Sequence, residues 1–314
     1  MTKSVFEDFK KNLLESGSVK QTGLFVFDAL NNFQLDDDNK FLIDSILELY
    51  LDYIKSLDFL LEYKFPFLKS LKDEEIKRNQ VLESVSPFLV QVFMNSNHKS
   101  ATNFAIKHKK ENKDCSVKQL CQYHKILLNG LSPSIEETSQ YRNGNDTIVG
   151  ECFYSNDGNL VSINSVSYIP IDYRNIKIAL ELILNLYNDK TLLDKKDIFV
   201  NPILIHGLLS SLQCFRDGNS RLARVLEHVR LWELTNKMLS IDSLELPVLY
   251  SSDGIIRLNK QNEYRKHIKE FAINPSNVTF NEWIKFNMFI FEKQIYYNQD
   301  RINDSMLVLK KYKK

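Results

Sequence analysis

The sequence predicts a mainly α-helical protein with one β-hairpin laid on a helical body. Three observations carry that prediction. Apolar residues recur at steps of three or four over most of the chain, which is the helical period. Only nine glycines and seven prolines stand in 314 residues, so tight turns are few. A single region, 147–170, alternates instead and is rich in β-branched and aromatic residues around an Asp-Gly pair.

The first 110 residues read as an N-terminal helical region. In 38-DNKFLIDSILELYLDYIKSLDFLLEY-63, Leu42, Ile46, Leu49, Tyr53, Leu57 and Leu60 make a long stripe of the kind a core buries. Asp38 or Asn39 is placed to cap its start, a side-chain oxygen accepting an N–H of the first turn. A second helix is expected over 73–94. The run 95-NSNHKSATNFAIKHKKENKD-114 is polar and basic, the usual composition of a solvated connection, and marks the expected boundary. From 117 to 130, VKQLCQYHKILLNG has helical spacing and ends on Gly130, a natural C-cap.

The hairpin follows, turning at Asp157-Gly158, where both turn positions favour positive φ. One hairpin is marginal alone in water, so it should rest on the helices. Its strand edges offer pairing to an extended segment of another chain. Helical periods return at 173–188, 196–215, 221–239, 260–272 and 278–299, and residues 301–314 read as a basic, solubilising tail.

Composition narrows the function classes. Lys and Arg (41) nearly cancel Asp and Glu (40), so charge points to neither nucleic acid nor membrane. No stretch approaches eighteen apolar residues, and the start lacks the apolar run of a secretory signal. Cys115, Cys121, Cys152 and Cys214 are scattered without metal-binding spacing, as reduced thiols are. The expectation is a soluble, cytoplasmic protein, with secretion lacking a cleavable signal left open.

The chemistry concentrates in 203-ILIHGLLSSLQCFRDGNSRLARVLEHVRLW-232, where two helical patterns flank RDGNS. Gly218 lets the chain turn and approach a ligand without a Cβ in the way. The amides from Gly218 to Arg221 then open a helix, and N–H groups there lack internal partners and carry the positive end of the dipole. Arg221 and Arg224 fall one turn apart on one face beside them. Two guanidiniums and such amides can hold adjacent phosphates, and Asp217 can hold a Mg²⁺ bridging two of them. Taken alone, the same pattern also describes an ordinary corner between helices.

The stretch resembles the signature of the Fic (Fido) family, HxFx(D/E)GNGRxxR. Phe215, Asp217, Gly218, Asn219, Arg221 and Arg224 match, while Gln213 replaces the histidine and Ser220 the second glycine. LCQYHKILLNG (120–130), QYRN (140–143), SYIP (167–170) and LPVLYSSDGIIRLNKQNEYRKHI (246–268) resemble family segments in the same order. The resemblance spans roughly 116–300, a Fic-like helical core with a hairpin flap.

It implies a nucleotide-binding protein like those that transfer AMP from ATP to a protein hydroxyl with Mg²⁺. Others in the family transfer different phosphate-linked groups. By the resemblance, Asp217 would hold the metal, and Gly218, Asn219 and Ser220 would form the anion hole. Arg224 would reach the terminal phosphates, Arg221 would support the loop, and the hairpin around 152–165 would dock a target protein as an added strand. Gln213 occupies the position of the general base, and an amide has no useful basicity near neutral pH. His206 lies about 10 Å back along its helix, too far for direct proton transfer, and His228 lies further from the turn. A transferase with a non-standard residue at 213 and a catalytically dead binding module both remain open. Some members carry an inhibitory (S/T)xxxE(G/N) helix; here, in 94-MNSNHKSATNF-104, Ser96 is present but Ser100 stands where the glutamate would be.

Overall fold

The computed structural model describes residues 3–62, 88–111, 114–131, 140–144, 147–154, 160–189, 197–235 and 254–312. The predicted fold class is found: helices throughout, with a single two-stranded antiparallel hairpin among the described residues. The N-terminal part supplies α1 (Lys3–Glu15), α2 (Phe25–Asn31), α3 (Asp37–Glu62) and α4 (Phe88–Lys110). Then come α5 (Val117–Leu127), β1 (Val149–Tyr154), β2 (Leu160–Tyr168) and a 3-10 turn (Tyr173–Asn175). The remainder is α6 (Ile176–Asn188), α7 (Asp197–Leu212), α8 (Asn219–Thr235), α9 (Gly254–Ile273) and α10 (Asn277–Tyr312).

Helix α7 is the axis of the molecule. Residues 199–212 are buried without interruption, so this helix is covered on every side rather than on one stripe. It packs against α8 through the turn that joins them, and against α6, α9 and α10. Gly207 makes the last approach possible. A Cβ there would lie 2.6 Å from the Phe271 ring and 2.9 Å from Trp283 Nε1. Trp283 is fully buried and donates its Nε1–H to Ile203 O at 2.8 Å. Burying a side chain of this size contributes on the order of 2–3 kcal/mol.

The first helices join the same core. Ile43, Ile46 and Tyr50 of α3 pack with Phe199 of α7 and Phe291 of α10. The buried stripe of α3 is therefore Ile43, Ile46, Tyr50 and Tyr53, with Leu42 and Leu49 only partly buried at its margin. The expected stripe was rotated by part of a turn, because 3.6-residue spacing admits both sets. Leu57 and Leu60 lie outside the described side chains. Nor is the cap Asp38 or Asn39. Asp36 Oδ1 accepts the Asn39 N–H at 2.7 Å, and Asn39 instead bonds Asn281 of α10 with its side chain.

The polar run expected as a connection is the second half of α4. Asn97, His98, Ala101, Thr102, Ala105, Ile106 and Lys109 face inward against α5 and α8. Small and polar residues line this stripe, which is why its composition resembles a solvated loop. Of the helix expected at 73–94, only the part from Phe88 lies among the described residues. At the other end α10 continues to Tyr312, so much of the expected tail is helical. Helix α5 begins at Val117 as expected, and Ser116 and Gln119 form a reciprocal capping box at its start.

The hairpin is placed by its base. Val149 pairs with Tyr168, and beyond β2 the Ile169 N–H donates to Lys20 O while Ile169 O accepts from the Thr22 N–H. Tyr168, Ile169, Val19 and Ala272 form a small second core there. The Asp157-Gly158 turn lies outside the described residues. No described helix is long and apolar enough to cross a membrane.

Candidate functional site

The turn between α7 and α8 is built by side chains that bond its own backbone. Helix α7 ends at Leu212, and Gln213 takes φ +52, a left-handed conformation that costs a non-glycine residue about 1–2 kcal/mol. It is the only non-glycine with positive φ among the described residues. Asn219 then ties the loop. Its Oδ1 accepts the Phe215 N–H at 2.8 Å, and its Nδ2 donates to Phe215 O and to Gln213 Oε1, both at 2.8 Å. The Gln213 amide is engaged on its other side too, donating through Nε2 to Ser210 O at 2.6 Å.

Two residues from outside the motif brace this turn. Arg142, 2% exposed, donates to the carbonyls of Gln213 (2.7 Å), Ile171 (2.7 Å) and Gly144 (3.0 Å). Its own N–H reaches Cys214 O at 3.0 Å. His124 of α5 donates from Nε2 to Asp217 O at 2.7 Å and stacks on Phe215, with centroids 4.1 Å apart. Gly218, at φ +74, lies under that imidazole; a Cβ would stand 3.4 Å from His124 Nε2 and 3.3 Å from Leu128 Cδ2. Neither bracing role was read from the sequence. The available signal was that His124 and Arg142 lie in the segments 120–130 and 140–143, whose order resembles that of the family.

Helix α8 starts at Asn219, and its first backbone bond runs from the Leu222 N–H to Gly218 O at 2.8 Å. The amides of Asn219, Ser220 and Arg221 therefore precede the internal ladder and point out of the helix end. The Gly218 amide does not join them as expected, because it donates to Asp217 Oδ1 at 2.6 Å. Arg221 is 8% exposed and Arg224 1% exposed, so both guanidiniums are held within the packed body. Ser220 is partly exposed beside them.

Asp217 presents a carboxylate that is 74% exposed, and its Oδ2 accepts from Arg221 Nη2 at 2.8 Å. Desolvation by the surrounding turn raises its pKa, but the Arg221 charge, the Gly218 N–H, the Arg221 hydrogen bond and His124 together leave it lowered. Each oxygen keeps a further lone pair. Among the described residues, no group of three or more His, Cys, Asp or Glu side chains could hold a metal. The exposed Asp217 carboxylate, with a spare lone pair on each oxygen, has the chemistry of a single protein ligand, the kind of donor set Mg²⁺ accepts.

Helix α4 brings His98 to the same arginines. Ser96 and Ser100 face solvent, whereas His98 is buried with its ring edge-on to His228 at 5.6 Å. Burial first, then the charges of His228, Arg224 and Arg221, hold its pKa well below the usual histidine value. His206 is a core residue, wholly buried between Glu227 and Tyr264.

Residues 114–231 match the model of the Fic/DOC family. The matched segment contains the whole turn, all of α7 and most of α8. Solved structures agree on the fold. A Fic family protein from Desulfovibrio desulfuricans G20 superposes at a TM-score of 0.58 with 14% identity, over 86% of this chain and 76% of that one. Fic-1 from C. elegans gives 0.56 and 15%, over 86% and 73%. A Fic domain containing signaling protein from Bacteroides thetaiotaomicron VPI-5482 gives 0.53 and 12%, over 81% and 94%. At these identities the likeness is one of fold. Among curated proteins, no match to this chain was found.

Proposed function

We propose that this chain is a Fic-type nucleotide-binding protein, related to the Mg²⁺-dependent transferases that move AMP from ATP to a protein hydroxyl, with an active site impaired at residue 213. The observation that carries the reading is the start of α8. Three amides at the positive end of a long helix adjoin Arg221, with Arg224 one turn further on and an exposed carboxylate at the rim. In this reading Asn219, Ser220 and Arg221 offer N–H groups to phosphate oxygens. Arg224 supplies charge to the terminal phosphates, and Arg221 holds the loop through Asp217. Bound at Asp217, Mg²⁺ would offset phosphate charge and orient the triphosphate.

The difficulty is the proton of the attacking hydroxyl. Gln213 has no basic nitrogen, and its amide is already bonded to Ser210 O and to Asn219. Loss of a positioned base typically slows transfer by about 10²–10⁴-fold. What remains is positioning and electrostatic stabilisation, on which phosphoryl-type transfer chiefly draws. The target would dock as a strand along the hairpin around 152–165. Segment 20–22 already pairs beside Ile169, so a docked strand has the rest of the edge. A cytoplasmic location belongs to the same reading.

The engaged Gln213 amide favours a second reading, a module that binds nucleotide and transfers nothing. Calorimetry with ATP and Mg²⁺, on the wild type and Arg224→Ala, tests the shared step. Binding that falls at least about 100-fold in the variant supports it; no wild-type binding ends both readings. Incubation with labelled ATP, CTP, GTP and UTP then separates them by whether label reaches protein, and tells AMP from other transferred groups.

A further inference from the structure

Four buried polar residues of α4 divide by whether their side chains find partners. Asn97 Nδ2 donates to Leu127 O at 3.2 Å and to Asn129 O at 2.6 Å, and Lys109 Nζ meets Glu233 Oε2 at 3.4 Å. His98 Nε2 and Thr102 Oγ1 are buried without a hydrogen-bond partner, in residues only 6% and 8% exposed. Buried polar atoms are nearly always paired in folded proteins, so these two ask for a reason.

Position separates the two. The His98 ring stands edge-on to His228, and His228 follows Arg224 by one turn on the same face of α8. Further along α4, Lys109 reaches Glu233, so the two helices run the same way and Thr102 lies on the side away from the start of α8. His98 is therefore the one nearer the phosphate arginines. Among the described residues, the charged and titratable side chains that act on it are His228, Arg224 and Arg221, all of them basic. Together with burial they keep the imidazole neutral at ordinary pH.

We propose that His98 is a further phosphate ligand, giving a ring N–H to the outermost phosphate of a bound nucleoside triphosphate and so favouring triphosphates over diphosphates. The inference rests on the nucleotide reading above, in which Arg224 serves the terminal phosphates. A neutral imidazole holds one N–H, and an anion at Nε2 selects the tautomer that places it there. The outermost phosphate brings three acceptor oxygens and the largest charge of the chain to a place lined by basic groups. Asn97, Ala101 and Thr102 flank His98 on α4, so the seam with α8 parts for a phosphate with little loss of buried apolar area. His98 lies outside residues 114–231, so the matched segment does not by itself contain this contact.

The test is calorimetry of the full chain with ATP and with ADP, each with Mg²⁺, on the wild type, His98→Phe and Thr102→Val. Phenylalanine keeps a ring against His228 and loses both nitrogens. ATP binding should weaken by about 10–100-fold in His98→Phe, the effect of one hydrogen bond to a charged group, while ADP binding holds. Thr102→Val, one turn further along the same face, should leave both unchanged. Equal losses for ATP and ADP, or an ATP loss as large in Thr102→Val, would mark a packing effect and overturn the proposal. His98→Gln, whose amide keeps an N–H, should recover part of the preference for ATP. In the wild type, ¹⁵N NMR of the His98 ring reads the contact without a variant. ATP should move the Nε2 signal and ADP should leave it, and an unmoved signal at saturating ATP overturns the proposal. If neither nucleotide binds the wild type, the nucleotide reading falls with it; if ATP binds and His98 does not respond, this inference alone fails.

Discussion

Asp217 Oδ2 accepts a hydrogen bond from Arg221 Nη2 at 2.8 Å, so the carboxylate proposed for the metal is already held by the guanidinium one helical turn on. The pair joins the exposed rim of the turn to the buried face of α8. It couples two roles, because a cation arriving at Asp217 competes with Arg221 for the same charge.

That pairing gives a pH dependence with a definite sign. The Asp217 pKa is lowered from the ordinary 3.8. A carboxyl depressed on folding contributes stability that is present above its unfolded value and is lost as pH falls through the native value. Wild type and Asp217→Asn should therefore differ in urea midpoint above about pH 4 and converge as pH drops below it. The side chain is largely exposed, so the difference should be small and should shrink in high salt.

His98 gives the other acid-sensitive contact. Its native pKa lies well below the ordinary 6.5, so the unfolded chain takes up a proton that the folded chain refuses. Stability is then intact above about pH 6.5 and falls progressively beneath it. His98→Gln should flatten that acid limb in thermal melts between about pH 6.5 and 5.

Gly218→Ala should be costly for two independent reasons. The backbone sits at φ +74, and the added carbon would press on His124 and Leu128. A loss of about 1–3 kcal/mol by denaturant unfolding is expected, with nucleotide binding weakened as the amides shift.

Arg142→Met tests the brace. It leaves the buried carbonyl of Ile171 and the partly buried carbonyls of Gln213 and Gly144 without their donor. Each unmade bond costs about 1–3 kcal/mol, so a drop of at least about 3 kcal/mol in urea unfolding is expected.

Gln213→His asks whether the base is all that is missing. The Ser210 carbonyl, 2.6 Å from the present amide nitrogen, can take one ring N–H and leave the other nitrogen as acceptor. Labelled-ATP transfer should rise by about 10²–10⁴-fold if the phosphates are held as proposed.

The elements themselves were legible in the chain. Alternation around Asp157-Gly158 separated the hairpin from the helices, and the Gly218 turn between two apolar periods marked the candidate site, because both signals are local. Composition misled at α4, where His98, Asn97 and Thr102 line a buried stripe. It also misled at α3, where two neighbouring stripes fit one period.

Residue order alone dictated most of the helices, the turn at Gly218, and that a helix begins beside two arginines. Only packing decided which charges meet. Arg142 reaches Gln213 across 71 residues, His124 reaches Asp217 across 93, and His206 reaches Tyr264 across 58. Periodicity tells which face of a helix is buried. It does not tell which helix lies opposite, and a buried donor finds its acceptor only once that neighbour is in place.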